Sequence, residues 1–275
     1  MKGQIIKILS NLYFVKCDET VYKCYPRGRF RNENITPLVG DYVEIDAVNN
    51  YILKVLPRKN SLVRPMVSNV DQAIIVTSLK APDLSTNLLD KLLLVLSYNK
   101  IKPVICISKY DLLKDEEIGN IIDILKYYEK IGYEIVYNTN LDDVKKIFKD
   151  KVSVLTGQTG AGKSTLLNRL DESLNLATGE ISKALGRGKH TTRHVELIEL
   201  FGGRVVDTPG FSLISLESMK DENIKDGFVE FNNYPCPFKD CMHINEGECE
   251  VKKAVNDGEI MTSRYENYKK FIEKR

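Results

Sequence analysis

Residues 157–164 read G-Q-T-G-A-G-K-S and match the pattern G-x-x-x-x-G-K-[ST] at every fixed position. The apolar run Val152–Thr156 predicts a strand before the match, and the pattern from Ser164 to Leu170 predicts a helix after it. Glycines let such a loop curl so that its N–H groups face phosphates, and the helix N-terminus adds partial positive charge. A chance glycine-rich turn would not come with these flanking elements, so the stretch predicts a nucleoside triphosphate site. There Lys163 would bridge the β- and γ-phosphates and the Ser164 hydroxyl would ligate Mg²⁺.

The chain around this loop alternates between predicted strands and helices. Ala73–Ser78 and Val104–Ser108 are unbroken apolar runs, as expected for parallel strands buried on both faces. We therefore expect an α/β domain with a mainly parallel sheet. Its other predicted elements are the helices Glu116–Lys130 and Leu141–Lys149, the strand Glu134–Tyr137, and a hairpin of strands Val195–Leu200 and Arg204–Asp207.

Two segments after the loop are candidates for sensing the γ-phosphate. Residues 207–210 read D-T-P-G at a strand end, where Asp207 can hold Mg²⁺ and the Gly210 N–H can reach a phosphate. Taken alone, the tetrapeptide is also compatible with a simple turn. Residues 186–193 form a polar loop in which we favour Thr192, ahead of Thr191, for completing the Mg²⁺ shell.

Base recognition is predicted for S-K-Y-D at residues 108–111, directly after a buried strand. A carboxylate at Asp111 can accept both N1–H and N2–H₂ of guanine, a match that adenine does not offer. The alternative is that Asp111 or Ser108 caps a helix. GTPases have Asn where this chain has Ser108, which still can bond the phosphate loop. The predicted nucleotide contacts are Ser108, Lys109, Tyr110, Asp111, Gly157, Gln158, Thr159, Gly160, Ala161, Gly162, Lys163, Ser164 and Thr165.

Three of the six cysteines and one of the three histidines fall within 14 residues: Cys236, Cys241, His243 and Cys249. Three thiolates and an imidazole suit a closed tetrahedral Zn²⁺ site with a structural role. The spacing differs from common zinc fingers, so redox or disulfide use is the alternative. The other cysteines, Cys17, Cys24 and Cys106, lie in apolar strand contexts and are expected to be reduced core residues.

The first 64 residues are predicted to form short strands broken by turns, and the first apolar-rich run extends from Ile5 to Val15. Such a pattern favours a small β-barrel, of which the five-stranded OB type is one option. The segment carries 11 basic and 6 acidic side chains, net +5, against −3 for the remainder, an asymmetry that indicates either a nucleic-acid partner or simply a solvated basic face. The candidate RNA contacts are Lys23, Arg27, Arg29 and Arg31. The aromatic residues between them suit either base stacking or the barrel core, and the polar residues 58–60 suggest a linker.

With 275 residues, 43% of them hydrophobic and 28% charged, the composition is that of a globular protein. The longest uncharged stretch, residues 152–162, is shorter than the roughly 18 residues of a membrane span, and the first twenty residues do not resemble a signal peptide. We therefore expect a cytoplasmic protein with no membrane partner.

The order of the motifs is unusual for a GTPase. Ordinary GTPases run phosphate loop, switch threonine, D-x-x-G and N-K-x-D, whereas here the base motif comes first, which indicates a circular permutation. With its N-terminal β-domain and cysteine cluster, the chain resembles the bacterial ribosome small subunit-dependent GTPase A family. The resemblance implies an OB-fold domain (residues 1–64), a permuted GTPase domain (65–215) and a mainly helical zinc-binding domain (216–275). It also implies a monomer that binds the small ribosomal subunit and its rRNA, acts in late subunit maturation, and hydrolyses GTP to GDP with stimulation by that subunit.

The group that orients the attacking water differs from that of many GTPases. Many GTPases use a Gln directly after D-x-x-G, but here that position is Phe211, which cannot orient water. His190, beside the switch threonines, is the candidate, although it could instead contact RNA or solvent. Two other functions stay open: an RNA-binding adaptor that binds GTP with negligible hydrolysis, and a P-loop small-molecule kinase.

Overall fold

The structure, a computed structural model, describes residues 1–28, 30, 35–63, 66–174, 195–207, 216 and 219–273. Its strands are Lys2–Leu9 (β1), Leu12–Cys17 (β2), Thr20–Pro26 (β3), Tyr42–Asp46 (β4), Tyr51–Val55 (β5), Ser61–Val63 (β6), Met66–Ser68 (β7), Gln72–Ser78 (β8), Lys102–Ser108 (β9), Glu134–Tyr137 (β10), Val152–Thr156 (β11), Glu196–Leu200 (β12) and Gly203–Asp207 (β13). Its α-helices are Thr86–Tyr98 (α1), Asp115–Lys130 (α2), Leu141–Phe148 (α3), Lys163–Leu170 (α4), Asp221–Asp226 (α5), Glu250–Asn256 (α6) and Thr262–Glu273 (α7).

The N-terminal strands close into a five-stranded barrel in the order β1-β2-β3-β5-β4, with β4 returning to β1. Strands β3 and β5 run parallel, and the other barrel pairs are antiparallel. Alternate residues of each strand face inward, so that Ile5, Val15, Cys24, Val43 and Ile52 are fully buried. The predicted OB-type barrel is confirmed.

The first apolar-rich run contains parts of two strands, in agreement with the expected short strands broken by turns. Residues Ile5–Val15 do not continue as one strand but hold the end of β1, a turn and the start of β2. The turn lies at Ser10 and Asn11, and Ser10 takes a left-handed φ of 55°. Ser and Asn tolerate the backbone conformations of a turn. Because apolar residues stand on both sides of them, the sequence pattern alone does not show where the turn lies.

The central sheet has the order β10-β9-β8-β11-β13-β12 and is parallel except for β12, which pairs antiparallel with β13. The predicted strands Glu134–Tyr137 and Val152–Thr156 are found with the same bounds. Because the parallel strands end at one edge, the loops after β8, β9 and β11 lie together. That edge is where the phosphate loop and the S-K-Y-D segment are placed.

Barrel and central sheet are joined edge to edge, because β1 also pairs antiparallel with β12. Two ion pairs cross the seam: Lys7 Nζ lies 2.6 Å from a carboxylate oxygen of Glu196, and Lys16 Nζ lies 2.5 Å from one of Glu199. The hydrogen bond from Lys16 lowers the pKa of Glu199. The sheet is therefore continuous from one module into the next.

The polar residues 58–60, expected to form a linker, are instead tied down. Arg58 donates from Nε and a terminal nitrogen to both oxygens of the fully buried Asp41, each at 2.7 Å. Asn60 exchanges hydrogen bonds with the backbone of Val70, and the following residues form the short hairpin β6–β7. The partners of Arg58 and Asn60 are buried residues that lie 17 and 10 positions away in sequence. A local sequence pattern does not reveal such contacts.

The C-terminal part consists of α5, a 3₁₀ turn at Val229–Asn233, α6 and α7. Along α7, Tyr265, Tyr268 and Phe271 recur every three residues and are buried together with Phe228 and Phe231. Within the described ranges, no helix has both the length and the apolar character needed to cross a lipid bilayer.

Candidate nucleotide site and metal centre

The phosphate loop connects β11 to α4 through glycines in conformations that L-residues rarely adopt. Gly157 has a φ of 129°, and a Cβ atom there would collide with the carbonyl oxygen of Val76 on the neighbouring strand β8. Gly162, the N-cap of α4, has a φ of 95°. Both positions require glycine, and the resulting curl directs the chain into the first turn of the helix.

Lys163 lies at the centre of this loop and has a partly desolvated charge. Its Nζ donates to the carbonyl oxygens of Gly157 at 2.8 Å and Gln158 at 2.7 Å, and burial lowers its pKa. Two carbonyl dipoles neutralise an ammonium group only in part. An anionic ligand in the curl is therefore a stronger partner for Lys163 than the carbonyls it now contacts.

The remaining loop residues differ in exposure. Ala161 and Ser164 are buried, Gln158 is half-buried, and Thr159, Gly160 and Thr165 are exposed. The buried Ser164 directly follows Lys163 in the first turn of α4, and the exposed Thr165 lies on the surface of the same helix.

The S-K-Y-D segment is brought directly onto the phosphate loop. The Ser108 hydroxyl donates to the carbonyl oxygen of Ala161 at 2.6 Å, and both residues are buried. Ser108 ends β9 whereas Ala161 follows β11, so this bond connects the ends of two strands that flank β8. The two motifs, 49 residues apart from Ser108 to Gly157, thus form one continuous site.

The other residues of the segment project beyond this contact. Lys109 takes a left-handed φ of 57° and its ammonium donates to the carbonyl oxygen of Ala81. Asp111 is exposed in the 3₁₀ turn Tyr110–Leu112. Neither Ser108 nor Asp111 caps a helix, because the N-cap positions of the turn and of α2 are Lys109 and Lys114. The capping alternative is therefore not what the structure shows, and the Asp111 carboxylate is left exposed beside the loop.

One contributor to the site was missed from the sequence. The loop after β8 supplies the Ala81 carbonyl that holds Lys109, and its Pro82 lies 3.6 Å from where a Cβ of Gly160 would be. The signal that would have found it is positional: β8 lies between β9 and β11, so its carboxyl end opens on the same edge of the sheet.

Asp207 is the last residue of β13, which pairs with β11 in the central sheet. His190, Thr192 and Gly210 lie outside the described residues.

The four predicted metal ligands converge on one point, with all donor atoms within 4.8 Å of one another. The distances from His243 Nδ1 to the sulfurs of Cys236, Cys241 and Cys249 are 3.5, 3.3 and 3.4 Å, and the sulfurs of Cys236 and Cys249 are 3.7 Å apart. A tetrahedral Zn²⁺ with Zn–S of about 2.3 Å and Zn–N of about 2.0 Å requires about 3.8 Å between sulfurs and about 3.5 Å between sulfur and nitrogen. The donor set therefore fits a tetrahedral metal ion.

Neighbouring groups hold this cluster in place. Cys249 is the N-cap of α6 and accepts a hydrogen bond from the backbone N–H of Lys252. The Tyr265 hydroxyl donates to the carbonyl of His243 at 2.6 Å, and the Phe231 ring packs edge-on against the imidazole. Four protein donors in a packed, mostly buried setting leave no open coordination position, which is typical of a structural site.

The candidate RNA contacts lie on the barrel. Lys23 on β3 and Arg27 just beyond it are exposed, and neither makes an ion pair within 4.0 Å with another described residue. Arg29 and Arg31 lie outside the described residues.

Comparison with known proteins agrees with this architecture. A model of the family described as RsgA GTPase matches residues 55–217, and one described as RsgA N-terminal domain matches residues 2–52. The protein named small ribosomal subunit biogenesis GTPase RsgA 2 of Oceanobacillus iheyensis is 48% identical, with 99% of this chain and 96% of the relative aligned. The protein of Enterococcus faecalis named small ribosomal subunit biogenesis GTPase RsgA is also 48% identical, covering 99% and 94% of the two chains.

Two solved structures share the whole fold. YjeQ from Thermotoga maritima has a TM-score of 0.86 and 37% identity, covering 99% of this chain and 97% of its own. YloQ, described as a circularly permuted GTPase, has a TM-score of 0.82 and 38% identity over 98% and 93% of the two chains. The permuted motif order, the closed barrel and these matches lead to one conclusion: the chain belongs to the RsgA family of GTPases.

Proposed function

We propose that this protein binds the small ribosomal subunit, acts in its late maturation, and hydrolyses GTP to GDP and phosphate with stimulation by the subunit. The observation that carries the nucleotide part is the Ser108–Ala161 hydrogen bond, which joins the predicted guanine-reading segment to the phosphate loop. The printed names of the relatives, small ribosomal subunit biogenesis GTPases, support the ribosomal part. They favour a GTPase over the adaptor and kinase alternatives.

Guanine recognition is assigned to the S-K-Y-D segment. The exposed Asp111 carboxylate would accept from N1–H and N2–H₂ of the base, and the stem of Lys109 would pack along the base and ribose. Ser108 and Tyr110 complete this side of the site, while residues 157–165 enclose the phosphates. ATP lacks the donor pair that Asp111 requires and would be rejected.

Hydrolysis requires charge stabilisation around the γ-phosphate. Water attacks phosphorus, the bond to the β-phosphate bridging oxygen breaks, and the electron pair leaves on GDP. Lys163 and the Gly210 N–H would stabilise the charge on the phosphate oxygens. The oxygen donors Ser164, Thr192 and Asp207 suit Mg²⁺, which neutralises phosphate charge when bound.

His190 is proposed to orient the attacking water, since Phe211 occupies the position where many GTPases have Gln. An imidazole in a loop can be brought into place when a partner orders that loop, which would make turnover dependent on the ribosomal subunit.

The remaining assignments concern organisation. We propose an OB-fold RNA-binding domain at residues 1–64, a permuted GTPase domain at 65–215 and a zinc-binding domain at 216–275. One Zn²⁺ would be held by Cys236, Cys241, His243 and Cys249 in a structural role. We further propose a cytoplasmic monomer whose barrel contacts rRNA through Lys23, Arg27, Arg29 and Arg31.

The test is GTP turnover measured with and without isolated small ribosomal subunits. Wild type should turn over slowly alone and much faster with subunits, whereas His190→Ala should bind GTP normally but lose the stimulated rate. Lys163→Ala, the control for phosphate binding, should lose both rates. Wild-type turnover that subunits leave unchanged would refute the proposed function, and full stimulation of His190→Ala would refute only the role of His190.

A further inference from the structure

The outer face of β3 combines aromatic and basic side chains. Because side chains alternate along a strand, Val21, Lys23, Tyr25 and Arg27 share one side, and all four are exposed. Cys24, between them, is fully buried in the barrel. The aromatic residue Tyr25 therefore belongs to the surface and not to the barrel core, one of the two options left open by the sequence.

A second tyrosine lies beside the first. Tyr51 of β5 is the direct register partner of Tyr25, and the Tyr25 N–H donates to the carbonyl of Asn50 at 2.9 Å. Paired strands are about 4.8 Å apart, so partners in register present their side chains next to each other on the same face. Tyr25 is 49% exposed and Tyr51 is 42% exposed, so both rings are accessible to a ligand.

The charged side chains around this tyrosine pair are the cations Lys23 and Arg27 and one carboxylate, Asp46, which is the register partner of Tyr51 on β4. On the side of the barrel that joins the central sheet, Lys7 and Lys16 form ion pairs with Glu196 and Glu199. In contrast, Lys23 and Arg27 make no ion pair within 4.0 Å with a described residue. Arg27 interacts electrostatically with Asp46, whose carboxylate also accepts from Asn49 and from the N–H groups of the turn after β4, whereas Lys23 has no such carboxylate among the described residues.

We propose that Tyr25 and Tyr51 form a stacking platform for unpaired bases of RNA, with Lys23 and Arg27 contacting the adjoining phosphates. Two exposed rings side by side offer π-faces to successive bases, and flanking cations suit the backbone between them. In a duplex the base faces are already stacked, so double-stranded RNA would gain only the two cationic contacts. That this RNA belongs to the ribosomal subunit rests on the proposed function. The preference for unpaired bases is independent of it.

The test uses the full chain and a fluorescent ten-nucleotide single-stranded RNA, with its duplex as comparison, in an anisotropy titration. We expect the single strand to bind at least tenfold more tightly than the duplex, and the Tyr25→Ala/Tyr51→Ala variant to lose at least tenfold. The Tyr25→Phe/Tyr51→Phe variant, which keeps the rings, should stay within about twofold of wild type. Lys23→Gln should reduce the dependence of log affinity on log salt concentration by about one unit.

Tyr42→Ala is the matched control. Tyr42 is 47% exposed on the same barrel, but it lies where β4 pairs with β1 and is not paired with Tyr25 or Tyr51. It should bind the single strand like wild type. Equal affinity for duplex and single strand, or an unchanged affinity of the double alanine variant, would overturn the proposal. So would loss of subunit binding by that variant with unchanged oligonucleotide affinity, since the surface would then contact protein. Circular dichroism of each variant verifies the fold, and wild-type stimulation by subunits separately tests the proposed function.

Discussion

Ser108 stands where other GTPases have Asn, and its short side chain still reaches the phosphate loop. The 2.6 Å bond from its hydroxyl to the Ala161 carbonyl is enclosed between two buried residues. A hydroxyl has one donor proton, and here that proton is used to fix one motif against the other. The substitution therefore retains the structural contact between the two motifs.

Ser108→Ala should weaken GTP binding about fivefold, because a buried carbonyl loses its partner at a cost of about 1 kcal/mol. Ser108→Asn should bind about as tightly as wild type, since its amide can donate to the same carbonyl. The measurement is titration with a fluorescent guanine nucleotide. Ser153→Ala is the control, because Ser153 is equally buried but lies at the other end of β11, against Gln72. Wild-type affinity in Ser108→Ala would contradict this account.

Sequence reasoning reached the residues of this site that belong to fixed motifs. Lys163 and Ser108 could be found because the chemistry of a phosphate loop and of a base-reading segment restricts residue type at a fixed spacing. The role of Ala81 was not predicted, because it contributes a backbone carbonyl, which any residue can supply. Tyr25 was ambiguous because a ring suits both faces of a strand, and only the register decided between them.

At the scale of elements, the cluster of Cys236, Cys241, His243 and Cys249 lies where α6 and the loop before it meet α7. Three of its four ligands lie in the loop before α6 and the fourth caps that helix, while Tyr265 and Tyr268 of α7 bond to the carbonyls of His243 and Met242. A metal ion would therefore fix the packing of elements that bury a small core.

Purified wild-type protein should contain about one zinc per chain by elemental analysis, and Cys241→Ser should lose most of it. The variant should also melt at a lower temperature, because the loop around His243 loses its cross-link. Cys106→Ala is the control: this thiol is buried in β9, away from the cluster, and burial raises its pKa to about 12. Unchanged zinc content in Cys241→Ser would show that the four residues do not bind the metal together.

Arg264 joins α7 to α1 inside the protein. It is 1% exposed and donates to Asp90 of α1 at 2.6 Å and to Glu230 at 2.5 Å. Burial raises the pKa of Asp90 even though Arg264 acts in the opposite direction. The charge of Arg264 is thus the main compensation for two buried carboxylates.

Arg264→Met should destabilise the protein by about 3–5 kcal/mol in denaturant unfolding, since two carboxylates are left buried without their cation. Adding Asp90→Asn and Glu230→Gln to that variant should restore part of the loss. Lys253→Met, which removes an exposed ion pair with Glu250, should change the stability by less than about 1 kcal/mol. A similar small effect of Arg264→Met would rule out the ion pairs as the link between these helices.

Strands and helices could be predicted from the sequence where a local pattern of apolar residues determines them. Buried parallel strands such as β10 and β11 are short apolar runs between helices, and their bounds agreed with the prediction. Residues 58–60 were misassigned because the partners of Arg58 and Asn60 are brought near by the closure of the barrel and the start of the central sheet. The β1–β12 seam joins positions about 190 residues apart in sequence, so no local pattern indicates it.

At the scale of the whole molecule, the excess of basic side chains in the first 64 residues is divided between two locations on the barrel. Lys7 and Lys16 belong to the seam with the central sheet, and Lys23 and Arg27 belong to the exposed face of β3. The net charge of +5 in the first 64 residues therefore overstates what is available to a partner, and location on the barrel matters more than the total.

The permutation leaves the site intact because sheet order and chain order are independent. The S-K-Y-D segment follows β9 and the phosphate loop follows β11, with β8 between them, so both open on one edge of the sheet although the first precedes the second along the chain. On the proposed function, the two permuted motifs form a single guanine-nucleotide site.

Asp111→Asn tests that claim most directly, in calorimetric titrations with GTP, ATP and xanthosine triphosphate. Wild type should bind GTP at least a hundredfold more tightly than ATP, because only guanine offers two donors to the carboxylate. The variant should lose GTP affinity and gain affinity for xanthosine triphosphate, whose C2 carbonyl accepts from the new amide. Equal binding of ATP and GTP by wild type, or an unchanged preference in Asp111→Asn, would contradict the account.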